Sequence, residues 1–397
     1  MSYCKLLKNG IMLDPAGKVD VCCQSVPSFD NRRYVWDNVA DFQHQYKSNG
    51  VDFERFENSK DGYLEGCHGC RLDEERFEIS SRTIANLKIK EVKDDDNAIT
   101  SAVVNAGNIC NLACRMCGDG SSSKWGSLAR HNPSPWMVPT KLIEHDDLTK
   151  SYVKKKVLTP DLKIISFAGG EPLMNKVCEE YIDTILEKNI AEGIWFQFIT
   201  NGTHRPSEKW FESLLKFKFV ELTISIDGTF DNYEYIRTYS DWELVWENLH
   251  YIIDRLSVRK DTLHIDIAYC LQALNAHKWN HDAKFWTDWY ENFLDPITNQ
   301  ISKQDVKEEI FRPSVITYPP YTSLSVIHPK LAKKYDIERW TSAHEYRYED
   351  YKEFMKFNGF WDRVKGTSLE AQNPDFFDHS IYPFGKKYYN DGYNKNI

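Results

Sequence analysis

Along the middle of the chain, short apolar runs alternate with amphipathic stretches. The runs Ala102–Asn105, Ile164–Ala168, Trp195–Thr200, Val220–Ile226, Leu263–Tyr269 and Ser314–Thr317 have strand length. Between them, segments such as Val177–Lys188, Glu208–Phe217 and Glu243–Leu256 carry apolar residues at helical spacing. Short continuous apolar strands separated by helices predict βαβ units and a parallel sheet covered on both faces. Six units are fewer than the eight that close a barrel, so the expected fold is α/β, a partial (β/α)6 TIM-like barrel. The polar stretch KIKEVKDDDNAITS separates this region from a cysteine-rich N-terminal part. Beyond about residue 330, RYEDYKEFMKFNGFWDRV predicts a helical, aromatic extension, followed by a loosely held tail, KKYYNDGYNKNI. The expected domains are therefore 1–95, 96–330 and 331–397.

Composition narrows the classes. Apolar residues make up 41% and charged residues 27% of the 397, as in ordinary soluble globular proteins. No run of 18 apolar residues occurs, and MSYCKLLKNGIMLD lacks a signal-peptide core, so a cytoplasmic protein without a membrane partner is expected. The net charge of −9 provides no basic field for a nucleic-acid backbone. Nucleic acid is not favoured as a partner, and Lys154-Lys155-Lys156 reads as a solvated helix face. Ten cysteines are present and clustered, which in a cytoplasmic setting points to metal or redox chemistry rather than disulfides.

The densest cluster is CNLACRMC, with Cys110, Cys114 and Cys117 at the end of the first barrel strand. Three thiolates on one loop can hold a cubic iron–sulfur cluster and leave one iron open to a ligand. Working residues of parallel barrels gather at the C-terminal ends of strands. Those ends carry Gly169-Gly170-Glu171-Pro172, then Thr200-Asn201-Gly202, then Ser225-Ile226-Asp227-Gly228, and finally Cys270-Leu271-Gln272. The diglycine permits close backbone approach, and Glu171 provides a carboxylate for a ligand ammonium group. Thr200, Asn201 and Ser225 offer groups suited to ribose hydroxyls. Arg237, ten residues beyond Asp227, has a planar fork for a carboxylate. Gln272 and Asn275 extend the rim as candidate contacts. Cys178 reads as a packed thiol, Cys270 as a small buried residue near the rim, and the Trp279, Trp286, Tyr290, Phe293 stripe as core.

Taken together these motifs resemble the radical S-adenosylmethionine (radical SAM) enzymes over roughly residues 100–330. CNLACRMC resembles their cluster motif, AGGEP their glycine-rich turn, and TNG, SIDG and YEYIR follow the same pattern. The resemblance implies a [4Fe–4S] cluster on Cys110, Cys114 and Cys117 whose open iron chelates S-adenosylmethionine. It implies Gly169, Gly170, Glu171, Pro172, Thr200, Asn201, Ser225, Asp227 and Arg237 as cofactor contacts. Met116, where an aromatic residue is common, would pack on the adenine. A flavodoxin- or ferredoxin-like reductase is implied as electron donor. The substrate class stays open between a peptide and a small metabolite, with nucleoside or nucleic-acid modification, or a non-catalytic iron–sulfur or zinc interaction protein, as the alternatives, and no catalytic residue is assigned.

The N-terminal cysteines form a second constellation. IMLD, a Pro-Ala-Gly-Lys turn and VDVCC predict a hairpin that brings Cys4 near Cys22, and CHGC adds Cys67 and Cys70. Four thiolates can close a metal site completely, as a cluster or as structural zinc. The C-x12-G-x4-C spacing resembles the twitch (half-SPASM) element, which implies an auxiliary [4Fe–4S] cluster on Cys4, Cys22, Cys67 and Cys70. Cys22 is preferred to Cys23 by that spacing. Here the element precedes the barrel, as in twitch-domain proteins some of which are phage-encoded, where the host cytoplasm would be the setting.

Overall fold

The computed structural model describes residues 98–394 apart from 260, 299–310, 312, 317–318 and 342–344. Before residue 98 it describes residues 4, 6, 9–20, 22, 39, 67, 70, 71, 74, 75 and 80–88. Cys23 lies outside the described residues. The principal elements, in order, are β1 Gly10–Leu13, β2 Val19–Asp20, α1 Ser81–Lys88, β3 Ser101–Asn105, α2 Ser123–His131, β4 Ile164–Ala168 and α3 Lys176–Glu187. There follow β5 Trp195–Thr200, α4 Glu208–Leu214, β6 Phe219–Ser225, α5 Phe230–Ile236, α6 Trp242–Leu256, β7 Leu263–Ala268 and β8 Cys270–Leu271. The last are α7 Trp279–Trp289, β9 Ser314–Val315, α8 Tyr348–Lys365 and α9 Gly385–Asn394.

The fold is mixed α/β around a seven-stranded sheet ordered β2-β1-β3-β4-β5-β6-β7. β3, β4 and β5 pair in parallel, as the βαβ reading requires. The expected hairpin is present: β1 and β2 are antiparallel around a turn in which Asp14 N–H donates to the Lys18 carbonyl at 2.9 Å. Gly17 takes φ +80° in that turn. β1 also pairs in parallel with β3, so the N-terminal hairpin extends the main sheet. The sixth expected run is shorter than its apolar stretch suggested. Ser314–Val315 pairs only with Cys270–Leu271, in a separate two-stranded sheet.

Burial along the strands departs from the uniform two-sided covering expected. β4 buries Ile164, Ile165, Ser166 and Phe167 in succession, the mark of a strand covered on both faces. β6 and β7 instead alternate, with Val220, Leu222 and Ile224, then Leu263, Ile265 and Ile267, turned to one buried face. Lys155 and Lys156 are exposed and Lys154 pairs with Glu180 at 3.0 Å, as a solvated face should.

Two compact units divide the chain: Met1–Ile109, Leu142–Thr200 and Pro206–Leu222 form one; Cys110–Lys141, Asn201–Arg205 and Thr223–Ile397 the other. In the second unit the core joins Trp125 of α2 to Phe357, Phe360 and Trp361 of α8. The Trp125 and Trp361 rings stack at 4.6 Å. The expected tail is a helix instead. α9 packs so closely on α8 that a Cβ on Gly392 would meet the Lys356 carbonyl at 1.9 Å, and only glycine allows that approach. Among the described residues no helix is long and apolar enough to cross a membrane.

Candidate functional site

The cysteine loop is built within the second unit. Ser122 caps α2 and its hydroxyl donates to the Leu112 carbonyl at 2.5 Å, tying the helix start to the loop. Cys110 N–H donates to the Ser123 hydroxyl at 3.2 Å, and Trp125 Nε1 donates to the Cys114 carbonyl at 2.8 Å. Ala113 and Arg115 N–H groups donate to the carbonyls of Thr238 and Ile236 at 3.0 and 2.9 Å. Cys114 is buried, whereas Cys110, Met116 and Cys117 are half-buried. A hydrogen bond between Cys114 and Cys117 pushes the Cys114 pKa well up, with burial adding to it, and the same bond lowers that of Cys117.

Charged groups meet at Cys114. Arg237 Nη1 lies 3.8 Å from the Cys114 sulfur, and Arg237 Nε lies 2.8 Å from Asp227 Oδ2. Burial works against the guanidinium charge, but Asp227 and Cys114 outweigh it and raise the Arg237 pKa. Asp227 is fixed in turn: its Oδ1 accepts from Cys270 N–H at 2.8 Å and its carbonyl from Asn275 Nδ2 at 2.9 Å. Burial, then Asp227, pushes the Cys270 thiol up, so it stays protonated. Asn201 Nδ2 donates to Asn111 Oδ1 at 3.1 Å and points at the Cys110 sulfur at 3.7 Å. Ser225 ends β6 half-buried. Gln272 is fully buried with its carbonyl oxygen unpartnered.

The glycine-rich turn belongs to the first unit. Gly169 and Gly170 have φ of +78° and +57°. A Cβ on Gly170 would stand 2.4 Å from the Ile109 carbonyl, which itself accepts from Glu171 N–H at 2.6 Å. The close approach allowed by the diglycine is thus made to the segment that joins β3 to the cysteine loop. Glu171 is fully buried; its Oε1 accepts from Leu173 N–H at 3.1 Å and from the Thr200 hydroxyl at 2.8 Å. Pro172 is buried behind it and starts a 3-10 turn.

Of the N-terminal cysteines, Cys4 and Cys70 are buried and Cys22 and Cys67 half-buried. Burial raises the Cys70 pKa, and the nearby Cys22 and Cys67 thiols add to the rise. Cys22 and Cys67 therefore both lie within electrostatic reach of Cys70. Glu74 supports them: it accepts from Ser80 and from Arg82, which both hydrogen-bond Cys70. Cys178 is a packed thiol whose pKa burial pushes up, and Trp279, Trp286 and Tyr290 are core as expected.

Sequence reading overlooked Arg115. Its side chain is fully buried, with Nε donating to the Tyr235 carbonyl at 2.9 Å, Nη1 to Asn358 at 2.8 Å, and Nη2 to Asp362 and Thr367 at 2.7 and 2.9 Å. The available signal was Asn358 and Asp362, one helical turn apart on the aromatic face of FMKFNGFWD.

The donor set fits an iron–sulfur cluster. Three thiolates on one loop, with a guanidinium and an amide aimed at two of the sulfurs, suit soft iron and stabilise its charge. Among the described residues, no group of three or more His, Cys, Asp or Glu is gathered around one point as a single ion would need. A cluster differs in that each thiolate serves its own iron.

Residues 104–269 match the Radical SAM superfamily model. No curated protein matches the chain. Among solved structures, native anSMEcpe with bound AdoMet is 18% identical, with 68% of this chain and 62% of that one covered, at a TM-score of 0.33. Streptococcus suis SuiB bound to precursor peptide SuiA is 12% identical, covering 74% of this chain and 61% of that one, at a TM-score of 0.30. The chain thus spans less than two thirds of the length of either structure.

Proposed function

We propose that the protein is a radical SAM enzyme that uses the Cys110, Cys114 and Cys117 loop to hold a [4Fe–4S] cluster. With that cluster and S-adenosylmethionine bound, the site supplies one-electron cleavage of the sulfonium and a 5′-deoxyadenosyl radical that abstracts hydrogen from a substrate. The observation that carries the reading is the set of three cysteines on one backbone-tied loop, inside a segment that matches the Radical SAM superfamily, with Arg237 against Cys114. Each side chain then has a task. Arg237, held charged by Asp227, orients the cofactor carboxylate; Glu171, with Gly169, Gly170 and Pro172, receives its ammonium group. Thr200, Asn201 and Ser225 meet the ribose, and Met116 packs on the adenine.

The reach of Cys22 and Cys67 to Cys70, together with the C-x12-G-x4-C spacing that includes the buried Cys4, supports an auxiliary [4Fe–4S] site in a twitch-like N-terminal domain. A closed second site of this kind would take the electron left after hydrogen abstraction, giving net oxidation of a peptide or small metabolite. Zinc is the alternative occupant. Metal analysis of anaerobically purified protein separates them: iron for two clusters is expected, and one zinc with iron for a single cluster contradicts the auxiliary assignment. For the main site, electron paramagnetic resonance of the reduced protein should change when S-adenosylmethionine is added. Glu171→Ala should weaken that response while keeping the iron; a spectrum indifferent to S-adenosylmethionine in the unmodified protein contradicts the reading.

A further inference from the structure

The second unit carries, beside the cysteine loop, cationic groups with no anion to meet them. The Tyr239 ring has the Lys365 ammonium 3.2 Å from its centroid and that of Lys124 at 4.4 Å. Neither lysine has a carboxylate partner within the described residues. Each ammonium is attracted by the ring face, yet the two repel each other. Lys365 ends α8, where a cation suits the helix dipole, but Lys124 lies in the first turn of α2, where it does not. No acidic residue offsets it in that turn. Tyr239 is 43% exposed and holds φ +76°, a backbone region that bulky L residues avoid. The arrangement is a half-buried cation pair gathered on an exposed ring, a site that a negative group on a partner surface would complement.

The chain path places this pair next to the three cysteines. Lys124 follows Ser123, the hydrogen-bond partner of Cys110. Tyr239 lies two residues beyond Arg237, which reaches the Cys114 sulfur. Lys365 lies three residues beyond Asp362, which holds Arg115 between Cys114 and Cys117. The chain as a whole carries −9, so an acidic protein is repelled by most of its surface and steered to an unpaired positive patch.

We propose that Lys124, Lys365 and Tyr239 form the docking point of an acidic one-electron donor protein that reduces the cluster on Cys110, Cys114 and Cys117. The inference rests on the function proposed above. In the step, one electron leaves the reduced centre of the donor and arrives on the cluster; no group is transferred. An open patch suits a protein surface better than a small anion, which needs an enclosing cavity.

The test uses the cluster-bearing protein, a flavodoxin of net negative charge as donor probe, and the variant K124Q/K365Q, with circular dichroism melts as a folding control. Binding of oxidised flavodoxin and stopped-flow reduction by reduced flavodoxin should both weaken roughly tenfold at low salt in the variant, with a flatter salt dependence. Reduction by dithionite should keep the wild-type rate. Wild-type flavodoxin affinity in the variant, or an equal loss with both reductants, overturns the docking point. A wild-type protein with no dithionite-reducible cluster overturns the parent reading instead, so the two failures are told apart.

Discussion

Arg115 and Asp362 stand 247 positions apart in the chain and meet at 2.7 Å with both side chains fully buried. The carboxylate also accepts from Thr367, from Leu369 N–H and from the Tyr389 hydroxyl, and Arg115 lies over the Tyr235 ring at 3.8 Å. A C-terminal helix thereby fixes a residue that sits between two cysteines of the loop. All three guanidinium nitrogens and both carboxylate oxygens have hydrogen-bond partners, which is the condition for a buried ion pair to be tolerated.

Removing one partner leaves the other charge buried and unpaired. Asp362→Ala should lower unfolding free energy by about 3–5 kcal/mol, read from denaturant titration. It should also reduce the iron bound on the loop. The double variant R115M/D362L should lose less than the two single changes added together. A single variant with wild-type stability contradicts this account of the loop anchor.

Gly170 of the diglycine turn and Gly366, the left-handed cap that ends α8, are two glycines of similar backbone in different surroundings. Gly366 has φ +70° with nothing near an added Cβ, so Gly366→Ala should cost only about 1–2 kcal/mol of left-handed strain. Gly170, at φ +57°, would in addition drive its Cβ to 2.4 Å from the Ile109 carbonyl. Gly170→Ala should therefore melt well below Gly366→Ala in calorimetry. Equal melting temperatures would show that the Ile109 contact yields freely.

His277 makes stability depend on pH. Burial, with the nearby Lys278, lowers its pKa to about 4, against about 6.5 for an unfolded histidine. Between those values the unfolded chain binds a proton that the folded chain does not. Its contribution is complete above about pH 6.5 and falls by about 3 kcal/mol as pH drops to 4. His145, also lowered by burial, acts in the same direction. Unfolding titrations across this range should show the slope, and His277→Gln should flatten it; an unchanged slope contradicts the assignment.

Much of the main sheet was legible because its strands are short apolar runs ended by Gly, Asn or Asp. Ile164–Ala168 and Trp195–Thr200 have the expected bounds, and Val220–Ile226 is shifted by one residue to Phe219–Ser225. What escaped depends on partners far along the chain. The parallel pairing of β1 with β3 joins segments some 90 residues apart, and no local pattern announces it. Arg115 looked like a spacer in a cysteine motif because its partners lie in α8. Among the described residues β9 pairs with β8, itself two residues long, a partner that its own sequence does not announce. The cysteines themselves were legible from spacing alone, since a loop that must present three thiolates to one cluster leaves little freedom in their separation.

The central claim is that Cys110, Cys114 and Cys117 support radical chemistry. The direct measurement is 5′-deoxyadenosine formed from S-adenosylmethionine by the anaerobically reconstituted protein under dithionite, compared with the variant C110A/C114A/C117A. The account predicts product from the unmodified protein and none above the reagent background from the variant. Equal amounts of 5′-deoxyadenosine from both proteins would contradict it.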